Sequence, residues 1–190
     1  MYPRARIDAL TDGVFAVAMT LLVLDVRLPE DFHPHDANDL IEALRGLTSK
    51  FVPYAISFMV LGVRWLSTIQ VRSRGEFFGR EYVVWWLFYL LLVTCVPFST
   101  MVVGRFDAFA PAIWLYAANT ILVAAVAFRM IALTPEIEHG DHLRDRTAAL
   151  VLLIVSSLLA IGWSFVSPRQ ALWAFALNLA GPWVARHGHG

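Results

Sequence analysis

The chain has 190 residues, of which 58% are hydrophobic and 16% are charged, and its mean hydropathy is +0.62. A soluble domain usually carries about a quarter charged residues, so this composition indicates a membrane protein. The chain has 15 basic and 15 acidic residues, so it has no net positive charge that would favour binding to nucleic acid. It has a single cysteine, Cys95, and therefore cannot form an intrachain disulfide.

Six apolar stretches approach the length of about 20 residues that crosses roughly 30 Å of hydrocarbon. The predicted spans are residues 8–28, 51–70, 82–103, 110–131, 147–166 and 170–185. The sequence therefore predicts an all-α membrane protein, with six transmembrane helices in a single domain over residues 1–190. A signal peptide is the alternative for the N-terminus, but Asp12 interrupts its apolar stretch and no small-residue cleavage site follows Leu28.

The distribution of basic residues predicts the orientation in the membrane. Most arginines fall in the connections on the side that also holds the N-terminus. Short loops rich in Lys and Arg remain in the cytoplasm, so we predict a multi-pass protein of the cell membrane with both termini cytoplasmic. Arg64 is an exception, because it lies within the second span.

The connection 29–50 has a helical pattern of its own. Asp36 or Asn38 is a candidate N-cap for a short helix. The apolar edge of this helix would consist of Leu40, Ile41 and Leu44. The connection is also rich in acidic residues, which would modestly raise the local concentration of cations, although a solvated loop is the alternative interpretation.

The first predicted span opens with ionisable and hydroxyl groups instead of hydrocarbon. These groups are Arg6, Asp8, Thr11 and Asp12. Ionisable groups at membrane depth are costly unless they pair or face water, so by default they mark a functional site. At about 100° per residue, both aspartates point towards neighbouring helices, where they would pair with Arg6, Arg64 or polar side chains.

A nearly apolar stripe follows along the opposite face of the same helix. Its members are Gly13, Val17, Thr20, Leu21, Leu24 and Leu28. We interpret the stripe as the lining of an ion pore, in which the bulky aliphatic side chains form a hydrophobic constriction and Thr20 replaces part of a cation's hydration shell. The alternative is an ordinary packing face, with the Thr20 hydroxyl bonded back to the carbonyl of Ala16.

The sequence contains few motifs that indicate an enzyme, a metal site or a selectivity filter. No TVGYG-type selectivity loop occurs, and no Walker, HExxH or GxSxG sequence, so we predict neither an enzyme nor a cofactor. His139 and His142 are spaced for a shared metal ion on a helix, although a solvated loop explains them as well.

The start of the first span resembles the first-helix signature of the transmembrane protein 175 family, the lysosomal and bacterial potassium channels. The family pattern is Arg-x-x-x-Phe-Ser-Asp, and the corresponding residues are Arg6, Leu10, Thr11 and Asp12, followed by GVFAVAMTLLVLD. Residues 54–65 and 89–100 resemble the second and third helices of the family. The resemblance therefore covers roughly the first half of the chain, with departures from the signature at Leu10 and Thr11.

The resemblance implies a six-helix subunit that assembles as a tetramer around its first helices. It places the constriction at Val17, with Leu21 and Leu24 completing the narrow zone, and a transiently bound potassium ion near Thr20. The signature residues would form an interhelical network that holds the pore helix: Arg6, Leu10, Thr11 and Asp12.

Two departures from the family pattern affect gating and selectivity. Trp65 is followed by Leu66 where family members often carry histidine, so the network would be rebuilt through Arg64 or Thr68. Val17 is smaller than the usual Ile or Leu, which would make the constriction leakier.

We therefore predict a passive, potassium-preferring cation channel made by several copies of this chain. Its partners would be other copies, lipid and monovalent cations, with no nucleic acid. One alternative is a proton-permeable or proton-coupled carrier that uses Arg6, Asp8 and Asp12 as a relay, and another is a non-transporting membrane scaffold. The carrier predicts loss of flux in Asp12→Asn, whereas the channel keeps its potassium current.

Overall fold

Long apolar helices make up most of the computed structural model, which describes residues 1–70, 77–134 and 141–176. The helices are α1 (Arg4–Leu21), α2 (Ala37–Gly46), α3 (Thr48–Gln70), α4 (Arg80–Thr94), α5 (Val96–Arg105), α6 (Ala110–Ala132), α7 (Asp141–Ser164) and α8 (Pro168–Ala171). Two 3₁₀ segments, Leu22–Asp25 and Leu172–Ala176, continue α1 and α8.

Five stretches of the described residues are long and apolar enough to cross a membrane. They are Arg4–Asp25, Thr48–Thr68, Arg80–Arg105, Ala110–Ala132 and Arg146–Ser164. These five helical stretches overlap the first five predicted spans. A helix is the expected conformation there, because it satisfies its own backbone hydrogen bonds in hydrocarbon. The sixth predicted span, 170–185, is described only as far as Ala176, through α8 and the 3₁₀ segment after it, and residues 177–185 lie outside the described part.

The third predicted span, 82–103, consists of two helices. α4 ends at Thr94, α5 begins at Val96, and Pro97 lies in the first turn of α5. Proline lacks the N–H that a continuous helix needs, and its ring clashes with the carbonyl four residues earlier. The apolar stretch therefore continues across the break while the α-helix does not.

The short helix predicted in the connection 29–50 is α2. Asp36 is its N-cap, and the Asp36 carboxylate accepts a hydrogen bond from the backbone N–H of Asp39 at 2.8 Å. The predicted apolar edge is exposed along its length: Leu40, Ile41 and Leu44.

The prediction of an all-α chain needs one correction. Tyr2–Pro3 (β1) and Phe77–Phe78 (β2) pair antiparallel, with Tyr2 opposite Phe78. The pair lies immediately before α1 and close to the start of α4, and so brings the N-terminal ends of these two helices together. Two residues are too few for a period-2 pattern, and the partners are distant in sequence, so local periodicity did not indicate this ladder.

α6 lies at the centre of the bundle and α1 lies at its edge. Half of the α6 span is buried (50%), against 28% of the first span. α6 packs on α4, α5 and α7, whereas α1 packs mainly on α3 and α4. One side of α1 is therefore covered by the chain and the other side is not.

Candidate ion pathway

The stripe predicted on α1 lies on its uncovered side. The exposed members are Gly13, Val17, Thr20, Leu21 and Leu24. Leu24 is 63% exposed and Val17 57%, whereas Phe15 and Ala18, on the packed side, are each 1% exposed. The 3.6-residue period of the sequence thus separates the packed side of α1 from the uncovered side.

Leu28 is not part of this helical stripe. The 3₁₀ segment ends at Asp25, and the next residue, Val26, is non-helical with φ −83° and ψ 73°. Pro29 also disfavours the helical conformation in the residue before it. The helical spacing that included Leu28 therefore applies only as far as Leu24.

Thr20 places a hydroxyl at the edge of the stripe. Its Oγ1 donates a hydrogen bond to the backbone carbonyl of Val17 at 2.9 Å, and not to Ala16 as the alternative interpretation had it. A hydroxyl has one hydrogen and two lone pairs, so this bond uses the hydrogen and leaves lone pairs free to accept. On an exposed side chain, these lone pairs are suited to a cation.

Two tryptophans bind the polar groups in the N-terminal half of α1. The indole Nε1 of Trp65 in α3 donates to Asp12 Oδ1 at 2.8 Å, and Nε1 of Trp86 in α4 donates to Thr11 Oγ1 at 2.9 Å. Thr11 is buried and in turn donates to the Ile7 carbonyl at 2.8 Å. Thr11 and Asp12 thus connect α1 to the two helices on which it mainly packs, α4 and α3.

The other two signature residues, Arg6 and Leu10, are exposed in the chain. The expected pairing of Arg6 with the aspartates does not occur, since Asp8 forms an ion pair with Arg4 at 3.2 Å. The reason is helical geometry, because side chains four residues apart share a face whereas side chains two residues apart do not.

Arg64 does not bind Asp12 either. Its guanidinium lies over the Tyr89 ring, 5.5 Å from the centroid, and its Nη2 donates to the Val123 carbonyl at 3.5 Å. Its Nε and Nη1 are buried and find no hydrogen-bond partner in the part of the chain that the structure describes. Successive side chains on a helix diverge by about 100°, so Trp65 reaches α1 while Arg64 points towards α4 and α6.

An ion pair at the C-terminal end of α1 was not predicted from the sequence. Arg105, the last residue of α5, donates from Nε and Nη2 to Asp25 Oδ1 at 2.9 and 2.8 Å. The Lys50 Nζ, in α3, donates to the Arg27 carbonyl at 3.2 Å. The sequence offered one indication of this ion pair. Asp25 lies at the end of the first apolar span and Arg105 at the end of the third.

A cavity of about 260 Å³ opens beside the N-terminal half of α1. Its polar lining includes Asp8, Thr11, Asp12 and Arg146, so the two aspartates in the N-terminal half of α1 border one space. Among the residues described, no group of three His, Cys, Asp or Glu side chains could hold a metal ion. The predicted His139–His142 pair falls outside the side chains that the structure describes.

Comparison with known proteins identifies the family. Residues 6–97 match the family described as endosomal/lysosomal potassium channel TMEM175. A protein of Streptomyces collinus named potassium channel is 30% identical, over 93% of this chain and 90% of its own length. The chain belongs to the TMEM175 family. This finding confirms the resemblance, and a TMEM175 protein is an ion channel and not an enzyme.

Other TMEM175 relatives match more narrowly. A potassium channel of Chamaesiphon minutus is 32% identical over 53% of this chain, which spans 49% of that relative. The human protein named endosomal/lysosomal proton channel TMEM175 is 33% identical over 34% of this chain and 14% of its own length. The fold is shared with a solved structure, the crystal structure of a lysosomal potassium-selective channel TMEM175 homolog from Chamaesiphon minutus. The two chains superimpose with a TM-score of 0.75 over 95% of this chain and 97% of that one, at 24% sequence identity.

Proposed function

We propose that the chain is a potassium-preferring cation channel that conducts passively through a central pore lined by α1 from several copies. Four copies around one axis is the arrangement that the family resemblance implies. A pore inside one 21.3 kDa subunit is disfavoured, because the spans pack around their own core, with α6 at its centre. Symmetric assembly supplies the missing walls of the conduit.

The single observation that carries the proposal is the uncovered apolar stripe of α1. Val17, Leu21 and Leu24 are all exposed although they lie on a helix whose other face is packed. Gly13 lies on the same side, and an added Cβ there would meet no atom within 4 Å. The packing of the single chain therefore does not require glycine, whereas close approach of helices from neighbouring copies does favour small residues.

The chemistry of the stripe favours a gated pathway for a monovalent cation. Rings of Val17, Leu21 and Leu24 would form a constriction that excludes water when narrow. Thr20 offers one level of oxygen lone pairs beside this constriction, where a potassium ion would bind transiently. Because only one polar level is available, we expect a modest preference for potassium over sodium.

Alanine substitutions in the stripe test the proposal directly. We expect Leu21→Ala and Leu24→Ala to raise potassium flux into liposomes that contain the purified protein, because each widens the constriction. Val23→Ala is the matched control, since Val23 is 48% exposed on the same segment but lies off the stripe. Equal flux in the wild type and both leucine variants contradicts the proposed lining, and absence of any flux favours a scaffold.

A proton pathway is the second candidate, and the cavity beside α1 favours it. Asp8 and Asp12 both line this space, and ionisable groups in membrane spans often carry protons. This candidate predicts that liposome acidification by the wild type falls to background in Asp12→Asn at unchanged assembly. Retained potassium flux without proton flux in the wild type excludes it.

The proposed channel domain comprises residues 1–190, with six spans per subunit and both termini on the cytoplasmic side of the cell membrane. Five apolar spans lie in the described residues, and a sixth would return the C-terminus to the side of the N-terminus. Epitope tags at the two termini should both resist protease in intact cells and be cleaved in inverted vesicles. Cleavage of either tag in intact cells contradicts the topology.

A further inference from the structure

The cavity beside the N-terminal half of α1 lies at one edge of the membrane-spanning bundle. Arg4 and Arg146, which line it, are the first residues of the first and fifth spans, and Thr68 is the last residue of the second span. Helices that cross a bilayer in turn bring these three ends to the same side. The polar headgroups lie just beyond the hydrocarbon, at the ends of the apolar spans, so the cavity is within reach of them.

Both carboxylates in the lining of this cavity already have a partner. Asp8 forms its ion pair with Arg4 at 3.2 Å, and Asp12 accepts the hydrogen bond from Trp65 at 2.8 Å. Neither carboxylate forms an ion pair with Arg146, the second guanidinium in the lining. Within the described residues, Arg146 therefore has no counterion.

Three donor groups in the lining find no acceptor among the described residues. They are the guanidinium of Arg146 and the hydroxyls of Tyr82 and Tyr89. The two tyrosines are about two turns apart on α4 and share a face, and Arg146 lies within electrostatic range of both. Tyr89 is only 4% exposed, so bulk water is a poor alternative partner for its hydroxyl. A cluster of donors without acceptors is suited to an anion that carries several oxygens.

Arg64 adds positive charge to the same region. Its guanidinium lies over the Tyr89 ring, 5.5 Å from the centroid, and within electrostatic range of Arg146. Three guanidiniums, those of Arg4, Arg64 and Arg146, thus stand against two carboxylates, which leaves one positive charge in excess. The N-terminal ends of α1 and α4, which β1 and β2 bring together, add partial positive charge. The electrostatic complement is a group with a single negative charge.

We propose that this cavity binds the phosphate group of a phospholipid headgroup, through Arg146 and the hydroxyls of Tyr82 and Tyr89. A phosphodiester carries a single negative charge at neutral pH, and the guanidinium fork matches two of its oxygens. This inference goes beyond the proposed channel function and does not depend on it, because it concerns binding and not conduction.

Free phosphate shares this chemistry, but two features of the site favour the lipid. The remaining lining includes apolar side chains such as Ile7 and Met130, which suit the glycerol and acyl part of a lipid. The cavity also lies at the ends of the spans, where headgroups are concentrated.

Binding of three probes to the purified protein in a neutral detergent tests the proposal. The probes are phosphatidylglycerol, which has a net negative charge, phosphatidylcholine, whose choline offsets the phosphate, and inorganic phosphate. Native mass spectrometry gives the number of tightly bound lipids per subunit and their dissociation constants, and calorimetry gives the constant for inorganic phosphate. We expect one phosphatidylglycerol per subunit, bound about tenfold more tightly than either other probe, a difference of about 1.4 kcal/mol.

Two substitutions remove single donor groups from the site. Arg146→Gln should weaken phosphatidylglycerol binding by at least about tenfold, because hydrogen bonds between charged groups are the stronger kind. Tyr89→Phe removes only a hydroxyl and keeps the ring that contacts Arg64 and Phe15. It should weaken phosphatidylglycerol binding by about twofold to tenfold.

Each substitution has a matched control. Arg144→Gln makes the same change of charge on the same helix, but Arg144 is exposed and does not line the cavity. Tyr54→Phe removes a hydroxyl from a tyrosine of α3 that is likewise absent from the lining. We expect both controls to bind phosphatidylglycerol like the wild type. An equal loss of binding in the controls would indicate general attraction of anionic lipid to the protein surface, and it would overturn the proposed site.

Circular dichroism without added lipid identifies a variant that does not fold. If Arg146→Gln does not fold, the comparison of Tyr89→Phe with Tyr54→Phe decides the outcome. Equal affinity for the two lipids, or unchanged phosphatidylglycerol binding in the folded variants, overturns the inference. Tighter binding of inorganic phosphate than of phosphatidylglycerol assigns the site to a soluble anion and overturns the lipid. None of these measurements involves ion flux, so their failure leaves the proposed channel function standing.

Discussion

The hydrogen bond between Trp65 and Asp12 gives the sharpest test of how α1 is held. The indole N–H of Trp65 donates to the Asp12 carboxylate at 2.8 Å, across the contact between α3 and α1. Asp12→Asn keeps an acceptor oxygen at the same place but removes the charge. Asp12→Leu removes the acceptor at similar volume. The two variants therefore separate the geometry of this contact from its charge.

The magnitudes follow from the two kinds of hydrogen bond. A bond to a charged acceptor contributes about 1.5–3 kcal/mol and a neutral one about 0.5–1.5 kcal/mol, so Asp12→Asn should lower the free energy of unfolding by about 1 kcal/mol. Asp12→Leu leaves the half-buried Trp65 N–H unpaired, which should lower the free energy of unfolding by about 1–3 kcal/mol in all. Asp8→Asn is the control, because its ion pair with Arg4 is exposed and worth less than about 1 kcal/mol.

The assay combines denaturant unfolding in detergent, followed by circular dichroism, with potassium flux in liposomes. A channel whose path lies on the opposite face of α1 should keep its potassium flux in Asp12→Asn, since α1 stays in place, and lose part of it in Asp12→Leu. Loss of all potassium flux in an assembled Asp12→Asn protein would refute this reasoning. It would place the carboxylate itself in the transport pathway, as the proton-relay alternative requires.

Three further predictions concern single side chains. Thr20→Val should lower the ratio of potassium to sodium flux in liposomes while Thr20→Ser retains it, and an unchanged ratio in Thr20→Val contradicts coordination by the hydroxyl. Thr11→Val leaves the buried Trp86 indole without an acceptor, so denaturant unfolding should show a loss of about 1–3 kcal/mol, against almost none for the exposed Thr94→Val. Arg64→Met should unfold at the same or a higher denaturant concentration than the wild type. Desolvation of a buried cation costs several kcal/mol, and Arg64 has no ion-pair partner among the described residues, so its removal relieves that cost. A clear destabilisation would show that the contact of Arg64 with the Tyr89 ring outweighs the cost.

Local patterns in the sequence were sufficient for the long helices of this protein, although not for the pairing of β1 with β2. The first five spans follow from apolar length, because a helix is the conformation that satisfies its own backbone in hydrocarbon. α2 and its cap follow from the position of Asp36 three residues before Asp39, within one helical turn. The exposed side of α1 follows from the 3.6-residue period through Val17 and Leu24. Pro97 indicates the break between α4 and α5, which the length of the apolar stretch alone does not predict.

Tertiary packing decided which side chains meet. The partner of Asp12 is Trp65 and not Arg64, and Asp25 pairs with Arg105, because the rotation and height of each helix depend on the whole bundle. Such contacts join residues that are far apart in the chain, and periodicity along one helix carries no information about the azimuth of the next. Sequence thus determines which segments become helices and which of their faces are apolar, whereas only the folded bundle determines which polar groups are matched across them.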